Sequence, residues 1–277
     1  MMRKELLILL ILFSVFLAIG CTGDKGEAPN ATETPVTAVT PTTAVPEVIT
    51  VSAAASLTEA FTDIASRFEK ENLGTDVNLN FGGSGNLRMQ IEGGAPVDVF
   101  ASADEGQMNT LGNETFIENS SRKDFARNSL VIIVPEASTL NITSIKDLVD
   151  PNIQKISIGN PDTVPVGNYS RTTLTEAGLW SQLENKLVLA EDVKQVLVYV
   201  EREEVDAGFV YTTDAKTAQP GTVKIVASVP VSIPVNYPIA VVSSSEHKEE
   251  AQKFLDFVTG EEGQTILKKY GFTVISK

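Results

Sequence analysis

Four places in the sequence where a strand is expected to lead into a helix carry small or hydroxyl-bearing residues. They are Ala55-Ser56, Gly83-Ser84-Gly85, Pro165-Val166-Gly167 and Glu191-Asp192-Val193. The first turn of a helix has backbone N–H groups without partners, and the helix dipole adds partial positive charge there. Several such ends meeting in one cleft would bind an anion without Lys or Arg. Each junction alone also fits an ordinary N-cap or turn, so their convergence stays open here.

The spacing of apolar residues predicts the elements that carry these junctions. Leu57, Phe61, Ile64 and Phe68 recur at intervals of three and four, which indicates one apolar helix face. Strand–helix alternation is typical of a parallel sheet covered by helices, and a body of this size fits two lobes around a cleft. Strands are expected at 48–52, 76–81, 97–101, 129–134, 156–159, 207–211, 223–226 and 238–242, and further helices at 87–93, 169–177, 193–202, 249–258 and 263–270.

The N-terminus has the layout of a secretory signal. Arg3 and Lys4 precede an almost unbroken apolar run, 6–19, that ends at a small residue. The run is shorter than the ~20 apolar residues that comfortably span a bilayer. We expect residues 1–20 to be a signal peptide, with an uncleaved membrane anchor as the alternative.

Cys21 is the only cysteine of the chain and follows the apolar run directly. A single cysteine in an exported protein cannot form an internal disulfide. Its position resembles that of the lipid-modified first residue of a lipoprotein, although the usual Leu three positions earlier is Ala18; a chance cysteine in a discarded peptide is the alternative. Residues 21–47 are rich in Thr and Pro, which predicts an extended tether. The body would then be anchored to the outer face of the cytoplasmic membrane.

Composition argues against nucleic-acid binding and gives little support to catalysis. The formal net charge is −14, whereas nucleic-acid binding needs clustered Lys and Arg. The single histidine, His247, lies in a polar turn and is expected on the surface, and there is no Cys/His cluster for zinc. Residues 82–86, Gly-Gly-Ser-Gly-Asn, match neither the nucleophile elbow nor the P-loop. We therefore expect a binding protein, neither an enzyme nor a holder of a cofactor, and a monomer.

Seven ordered blocks of sequence closely resemble the periplasmic molybdate-binding proteins of ABC importers. Examples are Ile-Thr-Val-Ser-Ala-Ala-Ala-Ser-Leu-Thr-Glu-Ala-Phe at 49–61 and Gly-Ala-Pro-Val-Asp-Val-Phe-Ala-Ser-Ala-Asp at 94–104. The resemblance extends over roughly residues 48–275 with few gaps. The remaining blocks are at 127–131, 159–169, 190–193, 208–215 and 268–272.

This resemblance implies a fold and a binding site. The fold would be a two-lobed class II periplasmic-binding-protein-like α/β fold with a hinge and an interlobe ligand cleft. Residues 48–130 with 236–277 would form lobe one, and 131–235 lobe two. The ligand, molybdate and with it tungstate, would pass to the permease of an ABC importer. Its hydrogen-bond donors would be Ser56, Ser84, the main-chain N–H groups of Val166 and Val193, and Tyr211.

Two departures and one rival ligand qualify the resemblance. Val166 is bulkier than the Ala often found at that position, and the 82–86 loop has fewer serines than in many relatives. A related group raises the coordination of the metal with carboxylates, for which Glu191 or Asp192 could serve, but the 159–169 block fits the hydrogen-bonded group better, with no direct ligand to the metal. Sulfate, another tetrahedral dianion, or a different small oxyanion remains the alternative ligand.

Overall fold

In a computed structural model that describes residues 46–275, strands and helices alternate around two separate β-sheets. The strands are β1 (Glu47–Ala54), β2 (Thr75–Gly82), β3 (Val99–Ala101), β4 (Lys123–Asn128), β5 (Leu130–Pro135), β6 (Ile156–Gly159), β7 (Leu187–Ala190), β8 (Ala207–Tyr211), β9 (Val223–Val229), β10 (Val235–Val241) and β11 (Thr273–Val274). The helices are α1 (Thr58–Glu71), α2 (Ser84–Glu92), α3 (Glu105–Asn113), α4 (Pro165–Glu176), α5 (Trp180–Leu183), α6 (Val193–Glu201), α7 (Thr212–Thr217), α8 (Lys248–Thr259) and α9 (Glu261–Tyr270).

Each sheet is the centre of one lobe. The first sheet has the order β11-β4-β10-β3-β1-β2, and the second β7-β6-β8-β5-β9. The expected parallel pairing is confirmed for β1 with β2 and β3, and for β6 with β7 and β8. β10 and β5 run antiparallel to their neighbours, so both sheets are mixed.

The chain crosses between the sheets twice. It leaves the first sheet at Ser129, between β4 and β5, and returns across residues 230–234, between β9 and β10. Leu130 therefore belongs to the second sheet and Val235 to the first, each one residue across the lobe boundary expected from the sequence. The two crossings run in opposite directions between the lobes. The strands that flank them, β4 with β10 and β5 with β9, are therefore antiparallel.

Both faces of the first sheet are covered. Side chains alternate between the faces of a strand, so Phe100 of β3 packs with a different cluster from its neighbours Val99 and Ala101. On one face α1 and α8 bring Phe68 and Phe254 together with ring centroids 5.3 Å apart, edge to face. The apolar helix face predicted from Leu57, Phe61, Ile64 and Phe68 is confirmed, since α1 spans Thr58–Glu71 and all four residues are buried.

Several elements were not foreseen, and several boundaries differ by three or four residues from those expected: the starts of α2, α4 and β10 and the end of β9. α4 begins at Pro165, four residues before the expected start at Tyr169, because proline is well suited to the first helical position. The missed elements are short or strongly polar, so they show no clear periodicity: α3, α5, α7, β4, β7 and β11.

Among residues 46–275, no helix is both long enough and apolar enough to cross a bilayer. The expected signal peptide at 1–20, Cys21 and the tether up to residue 45 lie outside the described residues.

Candidate anion-binding site

The four strand–helix junctions converge on one small cavity between the two sheets. Its lining includes all five residues implied by the resemblance: Ser56, Ser84, Val166, Val193 and Tyr211. Each of them is at most 3% exposed. The volume is about 10 Å³, room for the centre of roughly one water-sized sphere. Convergence, which spacing could not establish, is therefore a property of this fold.

Ser84 lies at the first position of α2, with its hydroxyl oriented by the main chain. Its Oγ accepts a hydrogen bond of 3.1 Å from the Ala103 backbone N–H. With one lone pair so occupied, the hydroxyl proton remains free to be donated. The side chain is fully buried, so a donor here would act in a medium of low dielectric constant.

Ser56 is oriented by a chain of hydrogen bonds from outside the cavity. Its Oγ lies 2.9 Å from the hydroxyl of Tyr237, and Asn128 Nδ2 donates to that same hydroxyl at 3.2 Å. Because the Tyr237 hydroxyl accepts a hydrogen bond from Asn128 Nδ2, its own proton is best directed to Ser56 Oγ. The Ser56 proton is then available for donation into the cavity.

Val166 and Val193 present main-chain N–H groups at the starts of α4 and α6. Val166 follows Pro165, and Val193 follows the N-cap residue Asp192. Neither N–H is hydrogen-bonded to another of the described residues, as expected for a first helical turn. Close packing holds α4 in place: a Cβ on Gly167 would lie 1.9 Å from the carbonyl oxygen of Gly159, so this position requires glycine.

Tyr211, the last residue of β8, lines the cavity and has a buried hydroxyl. This hydroxyl has no hydrogen-bond partner among the described residues. Burial raises the pKa of Tyr211 well above its usual value of 10, so the group keeps its proton and remains a donor. Buried polar groups are nearly always hydrogen-bonded, and an acceptor in the cavity would satisfy this one.

The lining of the cavity contains no Lys or Arg, and its one charged residue is Asp192. The Asp192 carboxylate accepts a bond of 2.9 Å from the Gln195 N–H and so caps α6. Glu191 is exposed. Within residues 46–275 no three His, Cys, Asp or Glu side chains are grouped so as to hold a metal ion. The site is thus built from neutral donors.

The lobes touch directly beside the cavity. The backbone N–H of Gly85 in α2 donates to the carbonyl of Thr163 in the second lobe, at 2.8 Å. A Cβ on Gly85 would lie 2.7 Å from that carbonyl oxygen, so this approach depends on glycine. The cleft is closed in this structure.

Three residues of the site were not identified from the sequence: Tyr237, Ala103 and Thr163. Tyr237 lies 181 residues from Ser56 along the chain, so no local pattern connects them. Ala103 and Thr163 act through main-chain atoms, which leave no signal in residue type. The one available hint was a tyrosine directly before the strand expected at 238–242, where a buried hydroxyl needs a partner.

The fold and this site define an extracellular solute-binding protein, and the comparisons agree. Residues 49–273 match the model of the family described as bacterial extracellular solute-binding protein. The chain belongs to that family.

Similar proteins carry more specific names. The chain is 40% identical to the molybdate-binding protein ModA of Escherichia coli, over 82% of this chain and 89% of that protein. It is 32% identical to the putative ABC transporter substrate-binding lipoprotein YvgL of Bacillus subtilis, over 99% of each. A solved structure, the substrate binding domain of a putative molybdenum ABC transporter from Clostridium difficile, has a TM-score of 0.63 and 36% identity, over 83% of this chain and 99% of that chain.

Proposed function

We propose that this protein captures molybdate outside the cytoplasm and delivers it to the membrane permease of an ABC importer. The observation that carries the proposal is that one small cavity is lined by two serines, by two residues at helix starts and by Tyr211, whose buried hydroxyl has no partner among the described residues. The names of the E. coli and C. difficile relatives point to the same ligand.

Neutral donors suit a small dianion. A dianion taken from water into a dry cleft needs a full set of hydrogen bonds, and neutral donors supply them without burying a cation. Phosphate often keeps a proton at neutral pH and would need an acceptor. The one carboxylate of the lining, Asp192, is engaged with Gln195 N–H, so protonated phosphate is disfavoured.

Tungstate has the same shape and charge as molybdate, and the same five donors would bind it. Sulfate is the second candidate ligand, because it too is a tetrahedral dianion without a proton at neutral pH. Discrimination between molybdate and sulfate then depends on the size of the closed cavity. When the lobes close, all five donors reach an anion that fits the cavity, whereas some stay out of reach of an anion of another size.

The lobes would act as two rigid bodies that hinge where the chain crosses, at Ser129 and at residues 230–234. Residues 48–130 with 236–277 and residues 131–235 would be these bodies, apart from the one-residue differences at Leu130 and Val235. Binding would select the closed state, in which donors of both lobes reach the same anion.

We further propose that Cys21 carries a lipid that holds the protein at the outer face of the cytoplasmic membrane, through the tether 21–47. The lipoprotein name of the B. subtilis relative supports this reading. The protein would work as a monomer. It would have no catalytic activity, because a carrier must release its ligand unchanged.

Isothermal titration of the purified protein with molybdate, tungstate, sulfate and phosphate at moderate salt tests the proposal. Tight one-to-one binding of molybdate and tungstate is expected, with sulfate and phosphate much weaker. Preference for sulfate, or silence with all four anions, would overturn the ligand assignment.

A further inference from the structure

Lys194 makes an ion pair between the lobes, one residue beyond the Val193 N–H. Its Nζ lies 2.9 and 2.8 Å from the two carboxylate oxygens of Glu59 in α1 of the first lobe. On its own lobe it contacts Thr217 Oγ1 at 3.0 Å and Asp214 Oδ1 at 3.4 Å. Among the ion pairs formed by residues 46–275, Glu59–Lys194 is the one that joins the two lobes.

The partners of Lys194 are attached to the proposed anion donors. Glu59 lies one helical turn after Ser56. Asp214, fully buried, accepts a hydrogen bond of 3.2 Å from the Tyr211 backbone N–H. Ser56 in the first lobe and Val193 and Tyr211 in the second are therefore each close to the Lys194 ammonium group, through its neighbours in the chain or its partners.

Lys194 does not serve as an anion ligand in this arrangement. Its one positive charge faces two carboxylates, and it is absent from the lining of the cavity. The three side chains together carry a charge of −1 when both acids are ionised, which would repel a dianion. A role in closure explains the position of Lys194, whereas a role in attracting the ligand does not.

We propose that Glu59, Lys194 and Asp214 form a latch that holds the cleft closed and sets the rate at which the bound anion leaves. Asp214 fixes Lys194 on the second lobe, and Glu59 engages it from the first. The Lys194 side chain is 23% and that of Glu59 36% exposed, so water and salt reach the pair and it can open. The identity of the released anion rests on the proposed function, while the latch itself does not.

Dissociation kinetics test the latch. The full-length protein is loaded with radiolabelled molybdate and chased with excess unlabelled molybdate, and the label retained on a filter is followed in time. In E59Q, dissociation should be about five-fold faster than in wild type with an unchanged association rate, the size expected of a partly exposed ion pair. K194M should accelerate release at least as much, and K194R should stay near the wild-type rate because it keeps the charge.

The matched control is D256N. Asp256 pairs with Lys123 at 2.7 Å within the first lobe, so this variant removes the same charge and breaks a pair that does not cross the cleft. Its dissociation rate should equal that of wild type. Raising the salt concentration should speed release from wild type and D256N, but hardly from E59Q.

An interlobe distance provides a readout that needs no ligand. Spin labels are attached at L73C and L189C in a full-length C21S background, since Leu73 is 92% and Leu189 52% exposed and they lie on different lobes. E59Q should shift the distance distribution towards open forms, and D256N should not. If E59Q and K194M have the same dissociation rates and interlobe distances as the wild type, the latch is overturned. Failure of the wild type to bind molybdate would overturn the proposed function, and the distances would still decide on the latch.

Discussion

The first lobe lines the cavity with two serines, Ser56 and Ser84, whereas the second lines it with Val166 and Val193 at helix starts, together with Tyr211. The hydroxyls of the first lobe depend on partners that orient them, Tyr237 and the Ala103 N–H. The N–H groups of the second lobe are oriented by helix geometry alone. Side-chain substitutions should therefore act very differently on the two halves of one site.

A second difference is that, in the second lobe, the backbone N–H of Tyr211 is hydrogen-bonded to a buried acid, Asp214. Burial raises the pKa of Asp214 from 3.8 to about 6, although Lys194 partly offsets the shift. The native state then holds a proton more tightly than the unfolded chain, so this group lowers the free energy of unfolding as pH rises from about 4 to about 6.

Asp214→Asn should remove that loss. Relative to wild type, its free energy of unfolding should rise by on the order of 2–3 kcal/mol between pH 4 and pH 7. Urea unfolding of both proteins at several pH values measures the difference. If the free energy of unfolding changes with pH in the same way in both proteins, Asp214 is not responsible for the loss of stability.

Removing one hydroxyl donor on either lobe should weaken molybdate binding strongly. Ser84→Ala and Tyr211→Phe should each lose about 1.5–3 kcal/mol, the range for hydrogen bonds to charged groups, or roughly ten-fold or more in affinity. Titration calorimetry measures this loss. Ser121→Ala is the control, because Ser121 is also buried but bonds Glu118 O away from the cavity. Equal affinities in all four proteins would contradict the donor assignment.

Gly85→Ala should act on closure rather than on donors. The added Cβ would press on the Thr163 carbonyl across the cleft, and overpacking costs about 1–3 kcal/mol. Affinity should fall while the stability of the ligand-free protein, free to open, stays near wild type. Gly82→Ala is the matched control, since its Cβ would meet Leu87 at an ordinary 3.5 Å. An equal loss in both variants would place the effect in the loop, not in the approach of the lobes.

Tyr237→Phe should weaken binding less than loss of a direct donor. It leaves the Ser56 hydroxyl in place but removes the group that orients it, at a cost of about 1 kcal/mol for one hydrogen bond. Affinity should fall about five-fold in the same titration. A loss as large as that of Tyr211→Phe would mean that Tyr237 itself contacts the ligand.

Val166→Ala should have the smallest effect. The N–H is retained, and only the wall of the cavity recedes. Affinity within about two-fold of wild type is expected, below roughly 0.5 kcal/mol. A ten-fold change would show that the Val166 side chain also contributes to binding, and would weaken the contrast between the lobes.

Much of this molecule could be predicted from local sequence. The helix bearing Phe61 and Phe68 was predictable because its apolar spacing repeats with the helical period. The junctions at Ser56, Ser84, Val166 and Val193 were identified as candidate donors, because helix starts are specified by residues close in sequence. Their common ligand came from resemblance, since the chemistry of a donor set does not distinguish among tetrahedral dianions.

What residue order alone determined is that four strand–helix junctions carry candidate donors and that the junction residues themselves include neither Lys nor Arg. Only the tertiary structure decided that the four helix starts face one another, that Tyr237 orients Ser56, and that Lys194 meets Glu59. The last two contacts join residues 181 and 135 positions apart along the chain. The strands of both sheets also lie in an order different from their order in the chain. Local propensity acts over a few residues, whereas the packing of two lobes against each other depends on the whole core.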